Sequence, residues 1–445
     1  YDERHEWGVE KTVNPVSPSG YPGDTLDWTW KIVVSEDIYE ENFDVTGKIF
    51  VSNPNPEDAR VASLTDKMSD DFVATITGCT GIGVIWSAPT LTVPASGSAT
   101  CSYQALDLNY DDDANAPTGN TATLTLNSID YTGTATIGYT PNVIRGTATL
   151  DDDQKPYDGQ PVTDGWKVTY ADTYMCSTTL GDYTDGKDLG NEVKNTAIVY
   201  AGGAEEDRST ATTVIDCYLP AVTKNGAGTY DERHEWTVKK TVDPTKQSGF
   251  AGDTVNFNWT IEVSEEVFEE NFGVTGKIFV SNPNPEDALV ASLTDKLSDD
   301  FVATITGCTG TGVSWSAPTL TVPASGTAEC SYEALDLSYD DVAKAPTGNT
   351  ATLTLNSIDY TGTTTFGYTK TVVDGEPTLD DDQKPFDGEK VFDGWTTTYK
   401  DSYTCSSDLT DYTEGKDLNN QVKNTAIVYT GTTEQDRSTA TTVID

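Results

Sequence analysis

The side chains able to do chemistry in this chain are seven cysteines, two histidines and a large excess of carboxylates. Cys79 and Cys101 flank the short apolar runs around Trp86 and Leu91 and would close a small loop. Cys308 and Cys330 repeat that spacing, and Cys176 and Cys217 would join a middle strand to a late one. Paired in this way, the cysteines imply an oxidising, extracellular setting, with each bridge contributing about 3 to 4 kcal/mol on the chain-entropy view. The carboxylates offer a hard-cation site. Asp151, Asp152, Asp153 and Asp158 recur as Asp380, Asp381, Asp382 and Asp387, so each loop gathers several oxygens of the type calcium takes. A second group, Asp107, Asn109, Asp111, Asp112 and Asp113, has a partial counterpart at Asp336, Asp340 and Asp341. Neither has the glycine and distal glutamate of an EF-hand loop, and hydrated acidic turns that repel self-association are the competing reading. Calcium is thus the one cofactor the sequence suggests, and none is required. His5 and His234 each stand alone in a YDERHEW segment, which gives no histidine pair for zinc. A Cys–His nucleophile would need an unpaired cysteine, and carboxylates are too abundant for any pair to mark a glycosidase. The chain reads as a non-enzyme.

The elements that must position these groups come in two copies. YDERHEW at Tyr1–Trp7 returns at Tyr230–Trp236, and the offset of 229 also carries Val45–Ala59 onto Val274–Ala288 and Ala116–Thr134 onto Ala345–Thr363 without a gap. Substitutions such as Trp28 to Phe257, Met68 to Leu297 and Tyr157 to Phe386 keep polarity, as a shared core would tolerate. The 229-residue counterpart of Cys217 would be residue 446, so the odd cysteine is expected to reflect an excerpt from a longer array. With 72 acidic and 27 basic residues the net charge is -45, which excludes nucleic acid as a partner. No run of apolar residues is long enough for a membrane span.

Short runs rich in Val, Ile, Thr, Tyr and Trp, bounded by Gly, Pro, Asn and Asp, replace helical periodicity almost throughout. TATLTL at Thr121–Leu126 shows the alternation of a half-buried strand. The fold class is therefore all-β: tandem immunoglobulin-like β-sandwiches, two per 229-residue repeat. The expected boundaries are a large sandwich at 1–141, a small disulfide-stapled one at 142–217, a Pro- and Gly-bearing linker at 218–229, then a large sandwich at 230–370 and a small one at 371–445. The acidic stretch Ser35–Asn42 reads as an excursion between strands. Trp7, Trp30, Trp86 and Trp166, with their counterparts Trp236, Trp259, Trp315 and Trp395, read as core positions.

The order of WGVEKTVNP (Trp7–Pro15), GDT (Gly23–Thr25), VTGKIFVSNPNP (Val45–Pro56), SLTD (Ser63–Asp66) and GNTATLTL (Gly119–Leu126) resembles the prokaryotic cell-surface repeats called domain of unknown function 11. It is similar in layout to Cna-B-type stalk domains. The resemblance implies secreted or surface-anchored proteins built of tandem immunoglobulin-like sandwiches, without enzymatic activity. It also implies a candidate intramolecular isopeptide bond, in which a first-strand lysine attacks a last-strand asparagine with help from a buried acid. The matching positions are Lys11, Asn120 and Asp66, and Lys240, Asn349 and Asp295. Asn195 and Asn424 lie in a similar context in the small domains, but Pro141 stands where the second copy has Lys370, so no bond is expected there. The function expected is that of an extracellular structural protein, a rod or filament serving as surface appendage, matrix fibre or adhesin stalk, whose partner is another copy of itself. The alternative is an adhesin or carbohydrate-binding module, presented on a repeat stalk and recognising surface glycans through loops such as Tyr170–Tyr183.

Overall fold

The computed structural model describes residues 1–155, 157–383 and 386–445. Alternation along the chain decides which faces are buried. In the strand Asp2–Asn14, His5, Trp7, Val9 and Lys11 point inward while Glu6, Glu10 and Thr12 are exposed, the period of two that a sheet with one covered face imposes. The described residues form strands joined by turns, with three single-turn 3-10 segments. The molecule is all-β, and each copy of the repeat holds two sandwiches.

The structure falls into two units, residues 1–18, 25–174 and 189–216, and residues 19–24, 175–188 and 217–445. In the first, Asp2–Asn14 lies between Asn142–Ile144, which is parallel to it, and the antiparallel strand Thr25–Glu41, with Lys167–Met175 beyond. The facing sheet includes Gln160–Val162, Ala148–Asp152 and Lys187–Ala201. Trp7, Val9, Ile32 and Val34 from one sheet meet Leu150, Ala197 and Val199 from the other. A second sandwich is inserted between residues 42 and 141. Its main sheet runs Ile129–Thr136, Gly119–Leu126, Ser63–Met68, Val73–Thr80, Ser98–Leu108, Phe43–Ser52, and a small sheet of Ala59–Val61, Thr90–Val93 and Ile85–Ser87 lies against it.

This nesting revises the expected boundaries. Residues 1–18 and 25–41 do not belong with 43–139; they form the outer sandwich with 142–174 and 189–216. The reason is local to the strand Thr25–Glu41, which the acidic run Ser35–Glu41 extends rather than interrupts. Its partner register holds from Thr29 opposite Asn14 to Glu41 opposite Asp2, so the first two strands stay together. The outer sandwich then closes only when the chain returns at Asn142.

The second unit repeats the plan and corrects the linker as well. The strand Ala221–Asp243 pairs along its length with Thr254–Ser281, from Ala221 opposite Ser281 to Asp243 opposite Asn258, with one register shift between Thr229 and Asp231. Residues 221–229 are thus the first strand of the second inserted sandwich, and Val222 joins its core. The glycines that suggest a flexible linker are there for space. A Cβ on Gly226 would stand 2.5 Å from Tyr332 Oη, and one on Gly228 would stand 2.6 Å from a ring carbon of Tyr368.

The expected disulfides form. Cys79–Cys101 and Cys308–Cys330 join residues directly opposite one another on paired strands, and Cys176–Cys217 spans 41 residues. Cys405 is buried and carries no disulfide. Trp7, Trp30, Trp236 and Trp259 are core residues as expected, while Trp86, Trp166, Trp315 and Trp395 sit half-buried at core margins.

Candidate functional site

A lysine on the inward side of a strand must either reach solvent or find a partner in the dry core. Lys11 follows His5, Trp7 and Val9 on the inward parity of Asp2–Asn14, and its side chain is fully buried, as is that of Asp152. Lys11 Nζ donates to Asp152 Oδ2 at 2.5 Å and to Tyr170 Oη at 2.9 Å. The Tyr170 hydroxyl in turn donates to the same carboxylate oxygen and accepts from Asn195 Nδ2 at 2.7 Å. Asn195 is wholly buried, and its Oδ1 has no hydrogen-bond partner among the described residues. The Trp30 ring lies 5.6 Å from the ammonium. Burial lowers the Lys11 pKa from its ordinary value, against the opposing pull of Asp152, and burial raises that of Tyr170.

The second outer sandwich reproduces the cluster with Lys240, Asp381, Tyr399 and Asn424. Lys240 Nζ donates to Asp381 and to Tyr399 Oη, Asn424 Nδ2 donates to the same hydroxyl, and Asn424 Oδ1 lacks a partner among the described residues. Desolvation lowers the Lys240 pKa in the same way.

A third cluster occupies the second inserted sandwich. Lys224, on the strand that was expected to be a linker, donates to Asp295 Oδ1, while Asn349 Nδ2 donates to Asp295 Oδ2 at 2.9 Å. Both charged side chains are fully buried, and the Lys224 ammonium sits 4.1 Å from the Tyr332 ring centre. Desolvation again lowers the lysine pKa, and it pushes that of Tyr332 up to about 12. The first inserted sandwich holds the remaining pair, Asp66 and Asn120, with Asn120 Nδ2 donating to Asp66 Oδ2 at 2.7 Å. Asp66 Oδ1 has no partner among the described residues, and burial raises the Asp66 pKa.

The expected triads are therefore redistributed. Asp66 meets Asn120 and Asp295 meets Asn349, but Lys11 and Lys240 belong to the outer sandwiches and face Asn195 and Asn424. The asparagines set aside in the sequence are the ones that share a tyrosine hydroxyl with these lysines, Tyr170 in one cluster and Tyr399 in the other, and Lys224 supplies the amine for Asp295. A signal for this exists in the chain. Asn-Thr-Ala occurs at Asn120, Asn195, Asn349 and Asn424, preceded by Leu-x-Asp at Leu64–Asp66, Leu150–Asp152, Leu293–Asp295 and Leu379–Asp381, while Leu180–Asp182 and Leu409–Asp411 carry the same Leu-x-Asp spacing outside these pairs. One such pair per sandwich marks four equivalent sites.

The candidate calcium loops put their oxygens to other uses. Asp152 and Asp381 hold the buried lysines, Asp151 and Asp380 accept from Gly159 and Gly388 backbone N–H groups, and Asp153 and Asp382 accept from Thr196 and Thr425. Asp158 and Asp387 lie in the turns that follow. Among the described residues, the carboxylates brought close enough to share an ion are those of Glu40, Asp112 and Asp113, two of them from the second acidic group. His5 sits between Glu3 and Glu36.

No family model matches the chain, and no curated protein does. Among solved structures it is similar to a red sea bream transglutaminase, at 10% identity and a TM-score of 0.15, covering 82% of this chain and 31% of that one. It thus spans about a third of that enzyme. It is also similar to a putative membrane-anchored protein from Corynebacterium diphtheriae, at 9% identity and TM-score 0.15, over 79% of this chain and 97% of that one. A third is an ectodomain fragment of ICAM-5, at 9% identity and TM-score 0.16, over 89% and 99%. At such TM-scores the likeness fixes neither fold nor function.

Proposed function

We propose that the chain is an extracellular structural protein whose sandwiches are locked by lysine–asparagine isopeptide bonds. The bonds are Lys11–Asn195, Lys240–Asn424 and Lys224–Asn349. The observation that carries this reading is the recurrence, in three sandwiches, of a dry lysine against a carboxylate with a buried asparagine beside it. A buried ion pair alone adds little to stability, because desolvation of both charges offsets their attraction. Its retention at three sites fits a chemical use better.

The chemistry follows from the site. In the dry core the Lys11 ammonium passes a proton to Asp152, giving a neutral amine and a neutral acid. An amide flip of Asn195 turns its unpartnered Oδ1 toward the acid, which polarises the carbonyl as Nζ attacks Cγ. The Nζ–Cγ bond forms, the Cγ–Nδ2 bond breaks, and Asp152 relays the amine's second proton to the departing nitrogen, which leaves as ammonia. Tyr170 holds the amine and the amide within reach of one another. No external substrate enters, so the proposal is a self-modifying scaffold rather than an enzyme, in keeping with the cell-surface repeat resemblance. Disulfides and an acidic, β-rich surface support a location outside the cell. A rod or filament built of further copies is the assembly we favour.

Intact mass after reduction and alkylation tests the reading. The expected deficit is about 17 Da for each of the three sites, with cross-linked peptides joining Lys11 to Asn195, Lys224 to Asn349 and Lys240 to Asn424. A mass equal to that of the sequence with its seven cysteines alkylated overturns it.

A further inference from the structure

Tyr170 and Tyr183 bound the loop expected to take glycans, but Tyr170 is tied to the Lys11 cluster, and Tyr183 is buried with its hydroxyl on the Ser177 carbonyl oxygen. The second inserted sandwich offers a broader surface. Lys224 points into its core, so strand parity turns Thr223, Asn225 and Ala227 outward, and Thr275, Lys277 and Phe279 on the neighbouring strand do the same. The register carries this face across four strands. Thr223, Phe279, Glu329 and Thr309 lie side by side, then Asn225, Lys277 and Ser331, then Ala227, Thr275, Glu333 and Thr304.

Two depressions lie on this face. One, of about 640 Å³, is lined by Asn225, Ala227, Thr275, Lys277, Ser331 and Glu333, and the other, of about 480 Å³, by Thr223, Phe279, Thr309 and Glu329. An ion pair joins them, Lys277 Nζ donating to Glu329 Oε1, with both side chains still half-exposed. Asn225 Oδ1 accepts from the Lys277 backbone N–H at 2.9 Å, which fixes the amide and leaves its Nδ2 as a donor. Thr306 Oγ1 donates to the Ser331 carbonyl oxygen at 3.2 Å and keeps its lone pairs. Neighbouring hydroxyls on a sugar ring both give and take hydrogen bonds, so an ammonium beside a carboxylate answers the two together. Phe279, 36% exposed, supplies an apolar ring for the C–H side of the sugar. A peptide finds less to hold, because the strands at 272–281 and 327–337 that floor the face are paired on both sides and present no backbone edge. Glu329 and Glu333 outnumber Lys277 in a chain of net charge -45, which disfavours an anionic glycan.

We propose that this sheet face binds a neutral oligosaccharide, one ring of which packs on Phe279 while its adjacent hydroxyls bridge Lys277 and Glu329. The proposal does not depend on the isopeptide reading, since Lys224, Asp295 and Asn349 lie on the other side of the sheet. The chain carries one such site. The first inserted sandwich has Thr100 and Gln104 at the positions of Glu329 and Glu333 and lacks both carboxylates.

The test titrates the full chain calorimetrically with cellohexaose, mannohexaose and N-acetylchitohexaose, and with a chondroitin sulfate hexasaccharide as the anionic comparison. At least one neutral sugar should saturate a single site per chain, and the sulfated one should not bind. Phe279→Ala and Glu329→Thr should each weaken that binding about tenfold or more. Both side chains stand on the outward face, and threonine is the residue the first copy carries, so the variants fold; an unchanged urea midpoint checks this. Absence of binding by all three neutral sugars, equal affinity in either variant, or preference for the sulfated sugar overturns the proposal. Two sites per chain overturns the role given to the carboxylates. A dimer in sedimentation that Phe279→Ala disperses, with no sugar bound, assigns the face to a second copy of the chain and overturns the glycan reading.

Discussion

Replacing Asp152 and Asp381 by Asn in the same chain leaves Lys11 and Lys240 in the core without a counter-charge. Both aspartates are changed so that the two outer sandwiches respond alike. Burial already lowers the Lys11 pKa while Asp152 works to raise it, so removing the carboxylate lets the pKa fall further below 10.5. At pH 7 the folded variant is destabilised either by a charged, unpaired ammonium or by the work of deprotonating it. The second route caps the loss at about 5 kcal/mol per sandwich, from 3.5 pH units at about 1.4 kcal/mol each, and removal of a buried partner commonly costs about 3 to 5. The sign of the pH dependence follows. Between the lowered folded pKa and 10.5 the unfolded state binds more protons than the folded one, so stability rises with pH, by up to about 1.4 kcal/mol per unit per sandwich. The rise ends near pH 10.5. Urea unfolding followed by tryptophan fluorescence measures this, because Trp7, Trp28, Trp30, Trp166, Trp236, Trp259 and Trp395 belong to the outer sandwiches and only Trp86 and Trp315 to the inserted ones. A parent chain with its amines amidated should lack the rise, and one with them only paired should show a weaker rise, because Asp152 and Asp381 offset part of the lowering. A variant loss below about 1 kcal/mol, or one that does not shrink between pH 7 and 10, would refute the placement of these lysines in a dry core.

Other expectations are more local. Tyr170→Phe removes the acceptor for Asn195 Nδ2 and Lys11 Nζ, and denaturation should show a loss of about 1 to 3 kcal/mol in the outer sandwich. Replacing Cys176 and Cys217 together by Ala, which opens a loop of 41 residues, should lower stability by about 3 to 4 kcal/mol on the entropic view, as measured by the urea midpoint of the variant against that of the parent.

Strand alternation, the 229-residue repeat and the three disulfide pairs were legible in the sequence because each leaves a local or periodic mark. Nesting was not, since nothing near Glu41 or Asn142 announces that the chain leaves one sandwich and later returns to it. Lys11 and Lys240 are legible as first-strand lysines, but without the nesting the sandwiches they begin end at 141 and 370, which pairs each lysine with the wrong asparagine. Ala221–Thr229 was missed through its glycines. Glycine in a strand signals either freedom or a neighbour needing room, and only the rings of Tyr332 and Tyr368 distinguish the two. Lys224 was hidden with it.

The strand Ala221–Asp243 bears on how the second unit responds to bending. Its first part belongs to the inserted sandwich and its later part to the outer one, with paired residues on both sides of the single shift at Thr229 to Asp231. A stretch that composition marks as a hinge is thus a shared beam. Tilting one sandwich against the other there has to break ladder hydrogen bonds, each worth about 0.5 to 1.5 kcal/mol, instead of merely straightening slack chain. Flexural stiffness at that joint comes from the backbone itself, and a protease searching for an accessible linker finds a paired strand.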